Sequence, residues 1–139
     1  MNTNKFLMGT IAGGITFFLV GFIIYGLALM SFFEAHAGSA TGVAKVDMVW
    51  WALILGNMSS AALLSYIFLK WANISSFGSG ASAAAIIGFF MSLSYDMVNF
   101  ATTNAMDMTG AFADVAVSVV YFAIGGGVIG AVLGMGKKS

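Results

Sequence analysis

The sequence predicts an all-α membrane protein, a bundle of four transmembrane helices with short loops. Three observations carry this. Only 7% of the 139 residues are charged and 60% are hydrophobic, against about 25% charged in a soluble domain. Mean hydropathy is +1.00. Four apolar runs are each long enough to cross roughly 30 Å of hydrocarbon, which takes about 20 helical residues. The runs do not alternate polar and apolar as barrel strands must, so helices and not strands are expected. The expectation is a single transmembrane domain over residues 1–139.

The first run spans about Phe6–Phe33. Lys5 before it and the Ala-His-Ala at 35–37 resemble a secretory signal with its cleavage site. The run is far longer than the 7–15 residues of a signal core, so it is expected to stay as a membrane helix. The second run covers about Met48–Leu69, the third Ala81–Phe100 and the fourth Ala113–Met135. The connections EAHAGSATGVAK, WANISSFGSG and TTNAMDMTG are short and rich in turn formers. The chain has no proline, so no helix is kinked by that route.

Orientation follows from charge. With four spans, Lys5, Lys70, Lys137 and Lys138 share one side, and Glu34, Lys45, Asp47, Asp107 and Asp114 share the other. The positive-inside rule then expects both termini in the cytoplasm. Trp50, Trp51 and Trp71 fall at helix ends, where interfacial aromatics belong.

Small residues let helices approach closely in lipid. Gly9, Gly13 and Gly21 on the first helix, with Phe17 filling the gap, share a four-residue GxxxG rhythm with Gly126, Gly130 and Gly134 on the fourth. The third helix opens with ASAAAIIG, and the second carries Ser60, Ala61, Ala62 and Ser65. These small faces lie in the cytoplasmic half. Packing within one chain is expected, with a homodimer face as the alternative.

The outer half is polar. Asp96 lies about 6 Å inside the expected outer end of the third helix, Asn57 about 14 Å inside that of the second, and Tyr25 and Tyr121 about 12 Å inside theirs. Ser92, Asp96, Asn99 and Thr103 recur at spacings of four, three and four on one helix face. A carboxylate facing lipid costs about 3 kcal/mol, so Asp96 should point into the bundle. There Asn57, Asn99, Tyr25 and Tyr121 are its expected hydrogen-bond partners. Two readings stay open: a packed network that fixes helix docking, or an outward-facing polar cavity that binds a small ligand or passes a proton. An ionisable residue inside a span is a functional hypothesis in its own right.

Other chemistries find less support. Net charge is zero and no basic patch occurs, which argues against nucleic acid. With no cysteine, disulfides and thiolate sites are excluded. Met106, Met108 and His36 have copper(I)-like donors, but methionine more commonly fills gaps and a lone loop histidine is commonly solvated. Asp107 and Asp114 flank the fourth helix, Asp114 in its expected first turn, where a carboxylate suits the helix dipole. There is one histidine and no HExxH or GxSxG motif. The GGG at 125–127 lies inside an apolar run and does not join a strand to a helix, so it is no phosphate cradle. No enzyme activity, cofactor or metal is therefore expected. Gly21-Phe22 to Met30 also aligns weakly with Gly88-Phe89 to Met97, a pattern some transporter repeats show.

GFIIYG at 21–26, the polar third helix with Asn99-Phe100, and VVYFAIGGGVIGAVLG at 119–134 together resemble a family of small bacterial four-helix membrane proteins of unknown function. Leu27 stands where that family often has proline. The resemblance implies a fold and a bacterial inner membrane, and brings no site residues. On function, the expectation is an accessory or interaction subunit in the lipid bilayer, with other membrane subunits or a second copy as partner. The alternative is a small-ligand binder or transporter built on the Asp96 layer.

Overall fold

The computed structural model describes residues 1–136; Lys137 and Lys138, part of the charge argument, lie outside the described residues. Helix α1 (Thr3–Gly21) is capped by the Asn2 side chain, which accepts from the Lys5 backbone N–H at 3.2 Å. It continues as a wider π-helical stretch over Phe22–Ala28, in which the Leu29 N–H reaches back five residues to the Ile24 carbonyl. Leu29 leaves helical geometry (φ −112°, ψ 10°) and a short helix α2 (Met30–Ala35) follows. The first helix expected to Phe33 is thus broken at Leu29.

Helix α3 (Trp50–Tyr66) also widens, over Ile67–Ala72, and stops at Asn73 in the left-handed region (φ 52°, ψ 45°), a common way to end a helix. Helices α4 (Phe77–Thr102) and α5 (Met108–Leu133) each start four or five residues before the expected bounds of Ala81 and Ala113. The cause is capping chemistry inside segments read as turns. The Ser76 hydroxyl accepts from Ser79 N–H at 3.3 Å, and the Asp107 carboxylate accepts from Gly110 N–H at 2.7 Å. The spans Thr3–Ala28, Trp50–Ala72, Phe77–Thr102 and Met108–Leu133 are each long and apolar enough to cross a membrane.

The helices form a row rather than a square. α3 packs on α1, α1 on α5, and α5 on α4, with α3 only lightly touching α5. One end of the bundle, the terminal end, holds the start of α1, the 73–76 turn and the end of α5; there Lys5 Nζ donates to the Leu133 carbonyl at 2.9 Å. The opposite, loop end holds α2 and the 36–49 and 103–107 segments. Those segments are tied by Ala40 N–H to Asn104 O at 2.9 Å and Asp107 N–H to His36 O at 3.0 Å.

The buried core runs from mid-bundle to the terminal end: Phe17, Ala61, Leu64, Phe68, Ala84, Ile129 and Leu133. Gly9 abuts Ser65 and Leu133, Gly13 abuts Ile129 and Ala61, and Gly125 receives the Phe17 ring. Gly126 and Gly130 meet Ala84, Gly80 and the Ser76 backbone, while Gly134 meets Ser75 and Gly21 is only half-buried, beside Tyr121. These close approaches are made within the chain.

Candidate functional site

The buried residues of α4 are Gly80, Ala84, Gly88, Ser92 and Asp96, one every fourth position. This single ridge is the surface α4 lays on α5. Gly80 meets Gly126 and Gly130, Gly126 meets Ala84, and Gly88 meets Phe122. Each step of four along α4 is therefore matched by a step of four back along α5. Two further steps bring Ser92 level with Ser118, both buried, and Asp96 level with Asp114. The Asp96 carboxyl thereby faces the Asp114 carboxyl across the α4–α5 contact, close enough for their charges to interact.

Asp96 is only 3% exposed, and its Oδ2 has no hydrogen-bond partner. Asp114 is half-buried and accepts from the Tyr25 hydroxyl at 2.7 Å. Tyr25 comes from the π-helical stretch of the first span. Asp96 and Asp114 each lie six residues inside the loop-end terminus of their helix, a depth of about 9 Å. Among the described residues, Lys5 and Lys70 lie at the terminal end and Lys45 in the 36–49 segment, so no cation sits in this layer. A bond between two carboxyl oxygens needs a proton on one of them. The pair can hold a shared proton, or take up a cation in its place.

Two openings meet at Tyr25. A pocket of about 480 Å³ at the loop end is lined by Tyr25, Met30, Phe33 and Glu34 and by alanines of the adjoining segments. A cleft of about 310 Å³ between α1 and α3 has Tyr25 in its wall and Asn57 and Tyr121 beside it.

The expected single polar layer is divided in two. Asn57 accepts from the Tyr121 hydroxyl at 2.8 Å and donates to Leu53 O at 2.8 Å. Neither bonds Asp96: Asn57 is on α3, at the opposite side of the row from α4, and the Tyr121 hydroxyl, on α5, is turned to Asn57. Asn99 takes Thr103 as its partner, at 2.8 Å to its carbonyl and 3.1 Å to its side chain, and Ser92 bonds back to Gly88 O at 2.6 Å. The partner that sequence reasoning missed is Asp114. It was placed in a first turn, but α5 begins at Met108, and Asp114 falls in the second turn on the α4-facing side. The four-residue ladder from Gly80 to Asp96 was the available signal.

His36 differs from its expected solvated state. It is half-buried, its Nδ1 lies 3.0 Å from Asp107 Oδ2, and its ring packs on Phe32 at 4.6 Å between centroids. Met106 and His36 both border Gly110, whereas Met108 is exposed. The Gly110 N–H, and secondarily His36, hold the Asp107 carboxyl below the usual carboxylate range. Compared with family models, curated proteins and solved structures, the chain has no significant match.

Proposed function

We propose that this chain is a small integral membrane protein that reversibly binds a proton or small cation at the Asp96–Asp114 pair, as the working step of a binder or transporter. One observation carries the reading: a carboxyl almost wholly enclosed by apolar helices, with one oxygen unpartnered, faces a second carboxyl. Two neighbouring carboxylates, one of them almost wholly enclosed, cannot both be ionised cheaply, and apolar spans hold ionisable groups at a cost that function commonly explains. The loop-end pocket that reaches Tyr25 supplies a route for water and ions. The chemistry is binding and release, with no covalent step.

The lysine distribution supports placing both termini in the cytoplasm, with the pocket opening to the opposite side. The resemblance to small bacterial proteins supports an inner-membrane location. The test is proton or cation movement into proteoliposomes under an imposed gradient, alongside the carboxylic O–H signal by infrared difference spectroscopy. Wild-type protein should move the ion and show an exchangeable carboxylic band, and Asp96→Asn should lose both. Unchanged ion movement in a folded Asp96→Asn protein overturns the reading.

A second reading has its own observation. Every residue of α3 from Trp50 to Gly56 is exposed, so the loop-end part of an edge helix is left largely uncovered by the described residues. This favours an accessory subunit that docks on another membrane protein through α3. Native mass in mild detergent tests it: co-migrating polypeptides support docking, and a monomer or homodimer removes it.

A further inference from the structure

We infer that the cleft between α1 and α3 binds a lipophilic organic cation, a quaternary ammonium or similar ion with an apolar exterior. The inference rests on the carboxyl-pair reading for its counter-charge. The cleft exists because α1 and α3 pack closely only towards the terminal end. There Gly9 meets Ser65, Gly13 meets Ala61 and Gly14 meets the Met58 side chain. Towards the loop end this contact is lost, and a side-chain carbon placed on Gly56 would meet nothing within 4 Å. The space left, about 310 Å³, is within the range of small-ligand sites.

Its walls are aromatic: Phe17, Phe18, Phe22, Tyr25, Trp50 and Tyr121. Phe18 and Trp50 lie across the two helices at 6.3 Å between centroids. Both tyrosine hydroxyls point their protons elsewhere, Tyr25 to Asp114 and Tyr121 to Asn57. Each ring is thereby left electron-rich, and electron-rich ring faces attract cations. The polar groups at the inner wall are already satisfied, so they offer a ligand no strong donor. What the cleft offers is ring faces, and a carboxyl pair one hydrogen bond behind Tyr25. Neutral polar molecules gain little from that combination. A greasy cation gains both from burial and from charge. It can also arrive sideways from the bilayer, because the cleft opens between two helices read as lipid-facing.

The probe is phenyltrimethylammonium, and its control is the neutral isostere tert-butylbenzene. Binding is read as quenching of Trp50 in a Trp51→Phe/Trp71→Phe protein, since Trp51 and Trp71 lie outside the cleft and are 71% exposed. The cation should quench saturably and bind about tenfold more tightly than the isostere, and Tyr25→Leu should weaken it about tenfold. Tyr25→Phe, which keeps the ring, should retain most of the binding. Equal binding of cation and isostere would show an apolar groove for lipid tails and overturn the inference, as would no quenching at all. Proton uptake by the carboxyl pair is measured without the cation. Uptake without cation binding defeats this inference alone, and cation binding without uptake defeats the carboxyl-pair reading alone.

Discussion

Asp96 and Asp114 are chemically alike but differ in surroundings, so their substitutions should not be equivalent. Asp96 is enclosed and has an unpartnered oxygen; Asp114 is half-buried and holds Tyr25. Asp96→Asn replaces one carboxyl by an amide that can donate to Asp114, so the fold should survive while ion binding is lost. Asp114→Asn also removes the charged acceptor of the Tyr25 hydroxyl, and charge-assisted bonds are roughly twice as strong as neutral ones. It should therefore loosen the π-helical stretch as well, seen as faster amide exchange over Phe22–Ala28 in Asp114→Asn but not in Asp96→Asn. At the loop end, Asp107 gives a separate pH prediction. Its lowered folded-state value means its cap stabilises α5 above about pH 4, the ordinary aspartate value, and the contribution is lost as pH falls through the lowered value. Acidification should lower the protection of the Gly110 and Ala111 amides, read as exchange relative to the intrinsic rate at each pH. Asparagine caps as well as aspartate, so Asp107→Asn should leave protection high and flatten its pH dependence.

At the scale of helices, the ridge Gly80–Ala84–Gly88 does two things at once. It lets the α4 backbone close on α5, and it sets the register that aligns Asp96 with Asp114. Gly126→Leu would drive a side chain into Ala84 and the Gly80 carbonyl. Overpacking costs about 1–3 kcal/mol or more, and here the backbone cannot yield cheaply. The expected result is loss of α4–α5 docking, with the carboxyl pair separated, measured as a lower denaturant midpoint in detergent. Phe17→Ala empties the site against Gly125, where Phe17 is fully buried and lies 4.7 Å from Tyr121 and 5.6 Å from Phe122 between centroids. The expected cost is about 3 kcal/mol, the low end for Phe→Ala, because lipid is as apolar as the core and only packing is lost. The same unfolding measurement checks it. The four spans were legible because length and hydropathy identify them without tertiary information. Their starts were not. Phe77-Gly78-Ser79-Gly80 and Met108-Thr109-Gly110 look like turns, and become helix only because Ser76 and Asp107 cap them and α4–α5 packing rewards small residues.

For the molecule as a whole, composition separates what could be read from what could not. An apolar chain with few polar residues makes each polar residue conspicuous, so Asp96, Asn57, Tyr25 and Tyr121 stood out individually. Their pairing depended on which helices are neighbours, and a row places α3 and α4 apart where a square would have joined them. No apolar pattern distinguishes those two arrangements, since every helix is hydrophobic on nearly all sides. Orientation is different, because it depends on a few charges whose ends are known. Lys5 and Lys70 sit at the terminal end, and Glu34, Asp47 and Asp107 lie with Lys45 at the loop end. The positive-inside rule acts on short loops such as these. Reporter fusions at both termini should report the cytoplasm, and a cysteine placed at Gly42, where the backbone is open with φ +69° and nothing within 4 Å, should react with an impermeant thiol reagent from outside. Labelling at Gly42 only after the membrane is broken would invert the topology. It would turn the Tyr25 pocket towards the cytoplasm, and the carboxyl pair would then load its ion from the cell interior.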